Sequence, residues 1–257
     1  MSLSDVFHDA LRIHFSNASA GGTEPSKLLM AREDFLARIH YSWFSEMLQP
    51  LPKEEQSLLK AALPSNIIDR LGGKSLPFSN IFQNKLAEKM GLYSYPSLFV
   101  ATKGPFFSLL DLDKESIIDI ISLLPFPLLS PQVKKIVDKK RLLALYSLLT
   151  DAQRDLLKQM LIRPDQGTIN DFNLSTWQGS STDLELKIHK TGIELLSQAT
   201  RGEGESFRFY LSRILDRGRG KMYLEAQESP IAKDPVGLLH AVLKYYNQRK
   251  SHAPTKT

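Results

Sequence analysis

Six histidines, His8, His14, His40, His189, His240 and His252, are the chain's most versatile chemical side chains. Two histidines three or four residues apart on one helix can share a metal ion, and a His-Glu-x-x-His run adds a general base. None of the six stands at that spacing from another, so no helix presents a two-histidine site. His14 and His40 neighbour apolar positions and read as packed, hydrogen-bonded histidines. The chain has no cysteine, which excludes disulfides, thiolate metal sites and cysteine nucleophiles. A reducing, cytosolic setting fits that absence.

Phosphate-binding glycine loops fare no better. "RGEGES" supplies Gly202 and Gly204, but Phe207 stands where a dinucleotide loop needs its third glycine. "LDRGRGK" ends in Gly220-Lys221, yet Leu215 replaces the first glycine of a phosphate loop and Met222 its Ser/Thr. The pairs Asp111 with Asp113 and Glu203 with Glu205 sit at turn or cap positions, where acids are common without catalysis. There is no Gly-x-Ser-x-Gly elbow. The expectation is a protein that is not an enzyme, with no catalytic residue, cofactor, nucleotide or metal.

One stretch has the chemistry of a docking surface. In "SFRFYLSRILDRGRGKMYLEA" (Ser206 to Ala226), Phe207, Tyr210, Leu211, Ile214 and Leu215 fall on one helical stripe. Arg213 and Arg217, four apart, are expected to share an outer face flanked by Arg208, with Arg219 and Lys221 extending the charge past a glycine break. Guanidinium groups pair with carboxylates in two-point geometry and are enriched in interface hot spots. These five form the candidate protein-interaction site. The competing reading pairs them with acids on neighbouring helices or leaves them simply to solubilise the surface.

Helical periodicity dominates the elements that would carry these residues. Val6, Phe7, Ala10, Leu11, Ile13 and Phe15 give a first apolar face, and Leu28 to Met47 a second helix ending before Pro50. Pro52 and Pro64 suit the starts of two short helices, where a missing N–H costs nothing, and Gly72 ends the second. A helix is expected over 77–90, and the one place for a strand is Leu98 to Thr102, where a buried extended segment fits equally. Further helices are expected from Asp113 to Leu124, from Ser130-Pro131 to about Leu148, from Thr150 with its capping partner Gln153, and from Thr182 with Glu185. One more runs through Phe207 to near Gly218, and Asp234-Pro235 opens the last. The fold class is therefore all-α, an array or bundle of short helices with little or no sheet. Two lobes are expected, 1–162 and 182–250, joined by a loop over 163–181 and followed by a disordered tail over 251–257.

The 257 residues are 42% hydrophobic and 24% charged, the profile of a soluble globular protein. The most apolar window, Ile117 to Leu129, is interrupted by Asp119, Pro125 and Pro127 and falls short of the about 20 residues a spanning helix needs. "MSLSDVFHDALRIHF" lacks the uninterrupted apolar core of a secretory signal. Net charge is a modest +5, concentrated in Lys134 to Arg141 and Arg208 to Lys221. Charge runs of that size are usually solvated helix faces.

"LPKEEQSLLKAALPSNIIDRL" (Leu51 to Leu71) spaces Leu-Pro, Leu59, Leu-Pro and Leu71 regularly, and Leu51, Leu58, Leu59, Lys60 and Leu63 recur as Leu149, Leu156, Leu157, Lys158 and Leu161. The pattern resembles the short-helix arrays of FliG-type flagellar switch proteins and the N-terminal helical domain of MgtE-type magnesium transporters. In such arrays each helix needs stacked neighbours to bury its stripe. Together with its size, helicity and missing cysteines, the chain is similar to SctK-type accessory proteins of the bacterial type III secretion sorting platform. That resemblance implies a cytoplasmic, non-enzymatic scaffold bridging an SctD-like membrane-ring protein and an SctQ-like platform protein, recruited to the inner membrane through a partner. It carries over no binding residue. Two other readings compete: a nucleic-acid-binding helical protein using Lys134, Lys135, Lys139, Lys140 and Arg141, and a secretion chaperone or effector. Asp138 and the absence of interleaved aromatics count against the first.

Overall fold

A computed structural model describes residues 35–72, 86–92, 104–162, 174, 177–226 and 234–252. The protein is all-helical: no strand occurs among the described residues. The α-helices are α1 (Tyr41–Leu48), α2 (Lys53–Ala61), α3 (Ser65–Leu71), α4 (Lys114–Leu123), α5 (Phe126–Lys134) and α6 (Lys139–Leu148). They continue as α7 (Asp151–Ile162), α8 (Ser181–Ala199), α9 (Glu205–Ile214), α10 (Arg217–Glu225) and α11 (Pro235–His252). The expected helices at 6–15 and over most of 77–90, the Leu98 to Thr102 segment, most of the 163–181 loop and nearly all of the tail lie outside the described residues.

The helices form two compact units. The first takes the described residues up to Asp111 and recruits Glu203–Gly220; the second takes Leu112–Gly202 and the chain from Lys221 onward. This is a different division from 1–162 and 182–250. Long α8 packs on α4 and α11, while α7 packs on α5 and α4, so helices from both sides of the expected loop share one core.

In the first unit, α1 and α2 both pack on α3, and α9 lies on a 3-10 turn at Phe107–Asp111. Pro52 and Pro64 are the N-cap residues of α2 and α3, and Gly72 adopts φ 67 to end α3. That left-handed conformation is one glycine reaches without Cβ strain. Phe35, Phe44, Leu59, Leu63, Tyr210 and Leu211 are buried. Phe35 meets Tyr210 edge-on at 4.6 Å between centroids, the arrangement aromatic quadrupoles favour.

In the second unit, Asp113 caps α4, its carboxylate accepting the Ser116 N–H at 2.7 Å. The Thr150–Gln153 capping box forms as expected: Gln153 Oε1 accepts the Thr150 N–H at 2.9 Å and Thr150 Oγ1 accepts the Gln153 N–H at 3.3 Å. The second expected box does not form. Ser180 caps α8 instead, accepting from the Asp183 N–H at 3.2 Å. Gly192 is the close-approach point of α8 on α4, because a Cβ there would collide with the Ile121 carbonyl. The run Lys114–Lys134 is long and apolar enough to cross a membrane by length and composition, but 78% of its apolar window is buried inside the protein. It forms α4 and α5.

The recurrent leucines serve both units unevenly. Leu59 and Leu63 in α2 and its end, and Leu156 and Leu157 in α7, are buried, whereas Leu58 and Leu161, also expected inside, are half-buried. Each helix inserts a slightly rotated stripe into its own core, so matched letters do not give matched burial.

Candidate functional site

The arginine stretch folds differently from the continuous helix expected through Gly218. Helix α9 stops at Ile214, because Leu215 is extended (ψ 156), and α10 begins afresh at Arg217. Arg213 and Arg217 therefore lie on different helices and share no outer face. Gly218 and Gly220 are not a break; both lie within α10. Gly220 is required there, since a Cβ would meet the Ser212 carbonyl and, at 2.7 Å, Trp43 Cζ2.

Helix α1 draws in two of these arginines. The Arg213 guanidinium stacks 3.9 Å from the Trp43 ring centroid and 4.7 Å from that of Phe209. Trp43 Nε1 donates to the Leu215 carbonyl at 3.0 Å, holding the extended link between α9 and α10. Arg217 pairs through Nε with Glu46 at 2.8 Å, and its backbone N–H donates to Ser42 Oγ at 2.9 Å. Arg219 pairs with Asp216 at 2.5 Å. Arg208 and Lys221 are half-buried, and Arg208 Nε is buried without a hydrogen-bond partner. The five cations thus do not form one free surface: three of them make contacts with their own unit.

Burial would raise the Asp216 carboxyl, but hydrogen bonds from the Arg219 side chain and backbone N–H hold it below its ordinary value, helped by the Arg219 charge. His40 is a cap rather than a core histidine. Its Nδ1 accepts the Ser42 N–H at 3.3 Å and lies 2.8 Å from Ser42 Oγ. Accepting the Ser42 N–H requires Nδ1 to be unprotonated, and in that tautomer the Ser42 hydroxyl donates to it as well. A serine against an imidazole is also a nucleophile's geometry, yet here the pair fastens the starts of α1 and α10. The legible signal was His-x-Ser just before an apolar helix.

Glu203 and Glu205, read from the sequence as turn or cap acids, stand in different surroundings. Glu203 is buried, with Oε1 accepting the Phe106 N–H at 3.0 Å, and its carboxylate fills the place a Cβ on Gly104 would take. Glu205 is exposed in the first turn of α9. No group of three or more metal-ligating side chains occurs among the described residues.

A second region stands out in the second unit. The expected helix from Ser130 to Leu148 is two helices: α5 absorbs Pro127 and Pro131 and ends at Lys134, and Asp138 caps α6. Asp138 Oδ1 accepts the Lys140 N–H at 2.8 Å. Arg141 donates to the carbonyls of Leu174 and, at 2.6 Å, Trp177. Lys134, Lys135, Lys139 and Lys140 are exposed. So are Val137 at 96%, Leu143 at 60% and Leu148 at 39%, while Leu145 is the one buried side chain within α6. The sequence showed the basic residues of this surface but not the exposed Val137 and Leu143 beside them, because a continuous helix was expected there; the signal for the break was Asp138, a good N-cap residue in mid-pattern.

Fold and site together define an all-helical protein whose most exposed apolar side chains include those of one basic segment. No family model, no curated protein and no solved structure matches the chain.

Proposed function

We propose that the chain is a non-enzymatic helical adaptor that docks other proteins, with α6 as a partner-facing element. The observation that carries this reading is the mismatch between α6 and its own core. A helix of this length is marginal alone in water and is normally held by an apolar stripe packed on its neighbours. Helix α6 buries Leu145 alone and turns Leu143, with Ala144 and Ser147 beside it, to solvent. A partner surface would complete that stripe.

The resemblance to SctK-type accessories supplies the partners' identity: an SctD-like ring protein and an SctQ-like platform protein, at the cytoplasmic side of a bacterial inner membrane. The test is capture of those two purified proteins from the same source by the full chain. The adaptor reading expects at least one to be retained and Leu143→Asp to weaken retention tenfold or more, about 1.4 kcal/mol, with an unchanged melting point. Retention of neither removes the secretion assignment. Retention that Leu143→Asp leaves untouched removes α6 from the interface. Duplex RNA or DNA bound with a steep salt dependence would favour the nucleic-acid reading instead.

A further inference from the structure

We propose that the bend between α5 and α6, with Val137 at its apex and lysines on either side, docks on an anionic lipid surface. This goes beyond the adaptor reading and does not depend on it. Val137 is 96% exposed, the most exposed large apolar side chain described. It follows half-buried Ile136, and exposed lysines stand on both sides of it: Lys134 and Lys135 at the end of α5, Lys139 and Lys140 at the start of α6.

The placement of the second lysine pair is informative. Lys139, Lys140 and Arg141 occupy the first turn of α6, the end where the helix dipole disfavours cations. A local rule broken this way points to use elsewhere. Arg141 is committed to the Leu174 and Trp177 carbonyls, which leaves lysines as the exposed charge. The one acid in the bend, Asp138, is exposed too, but its carboxylate is engaged as the N-cap, accepting from the backbone N–H groups of Lys140 and Arg141.

Lysine and a single aliphatic tip are poor material for a protein interface, where arginine and aromatics are enriched and lysine is depleted. They suit a lipid surface, which needs no shape-matched groove. There each lysine near an anionic leaflet strengthens binding about fivefold, and an apolar tip enters the boundary between headgroups and acyl chains.

The experiment is vesicle co-sedimentation of the full chain with phosphatidylcholine alone and with phosphatidylserine added. Expected is binding to the serine-lipid vesicles that weakens as salt rises. Val137→Asp and the double change Lys139→Gln with Lys140→Gln should each weaken it tenfold or more without lowering the melting point. Equal binding to neutral vesicles overturns the proposal. So does a Val137→Asp protein that binds as well as the parent, since that is charge adsorption without insertion. Absence of vesicle binding, with poly-glutamate retained instead, overturns it in favour of an acidic peptide surface.

Discussion

The Arg213 guanidinium lies 3.9 Å from the Trp43 ring centroid, and the same indole donates through Nε1 to the Leu215 carbonyl two residues further along the chain. One tryptophan thus fixes both the last turn of α9 and the extended link that follows it. An arginine expected to face a partner is instead a fastening within its own unit.

Arg213→Ala therefore lowers stability. A partly desolvated cation–π contact contributes about 1–2 kcal/mol, and the side chain's apolar stem adds packing. Arg217→Ala and Arg219→Ala, whose ion pairs involve half-exposed side chains, each cost about 1 kcal/mol or less. Denaturant unfolding of the three single variants checks the order. Equal effects at all three positions would show that the stack contributes nothing special.

Gly192→Ala destabilises although alanine is the better helix former. The new methyl collides with the Ile121 carbonyl where α8 crosses α4, and overpacking of this kind costs about 1–3 kcal/mol. Backbone moves least easily of all neighbours, so the helices must separate. Thermal unfolding of Gly192→Ala against the exposed-site control Glu185→Ala reads the difference.

Two aspartates bend the pH dependence in opposite directions. Asp216 is held below its ordinary value in the fold, so it stabilises above the unfolded Asp range and that contribution is lost as pH falls through the folded value. Asp216→Asn keeps a capping oxygen but costs stability at neutral pH, and its deficit shrinks on acidification. Asp119 is raised, by partial desolvation first, then by Asp113, with Glu115 adding and Arg249 and Lys250 opposing. Its charged form is disfavoured in the fold, so Asp119→Asn gains stability at neutral pH and the gain vanishes once both states are protonated. Urea titrations of both variants at neutral and acidic pH show the crossing signs.

Local chemistry made much of this fold readable. Asp234 followed by Pro235 opened α11, where Asp234 accepts the Gly237 N–H at 2.8 Å, and Thr150 with Gln153 opened α7. Such signals act within one helical turn, so the sequence around them suffices. The breaks at 135–138 and at Leu215 were not readable in the same way. Apolar residues run through both, Ile136 and Val137 at the first and Ile214 and Leu215 at the second; Asp138 is a local cap signal lost in that pattern, and the turn at Leu215 shows only in the contact from distant Trp43. The candidate site inherited that error, since Arg213 and Arg217 share a face only if the helix continues. The division into units was equally non-local, because Glu203–Gly220 returns to a core begun much earlier.

The adaptor reading stands on α6, and the most direct measurement is retention of the purified SctQ-like and SctD-like proteins by the parent chain, by Leu143→Asp and by Arg217→Ala. The account predicts that the parent retains at least one of them, that Arg217→Ala matches it, and that Leu143→Asp loses tenfold or more at an unchanged melting point. Retention lost in Arg217→Ala and kept in Leu143→Asp would contradict it and return the docking surface to the arginine stretch.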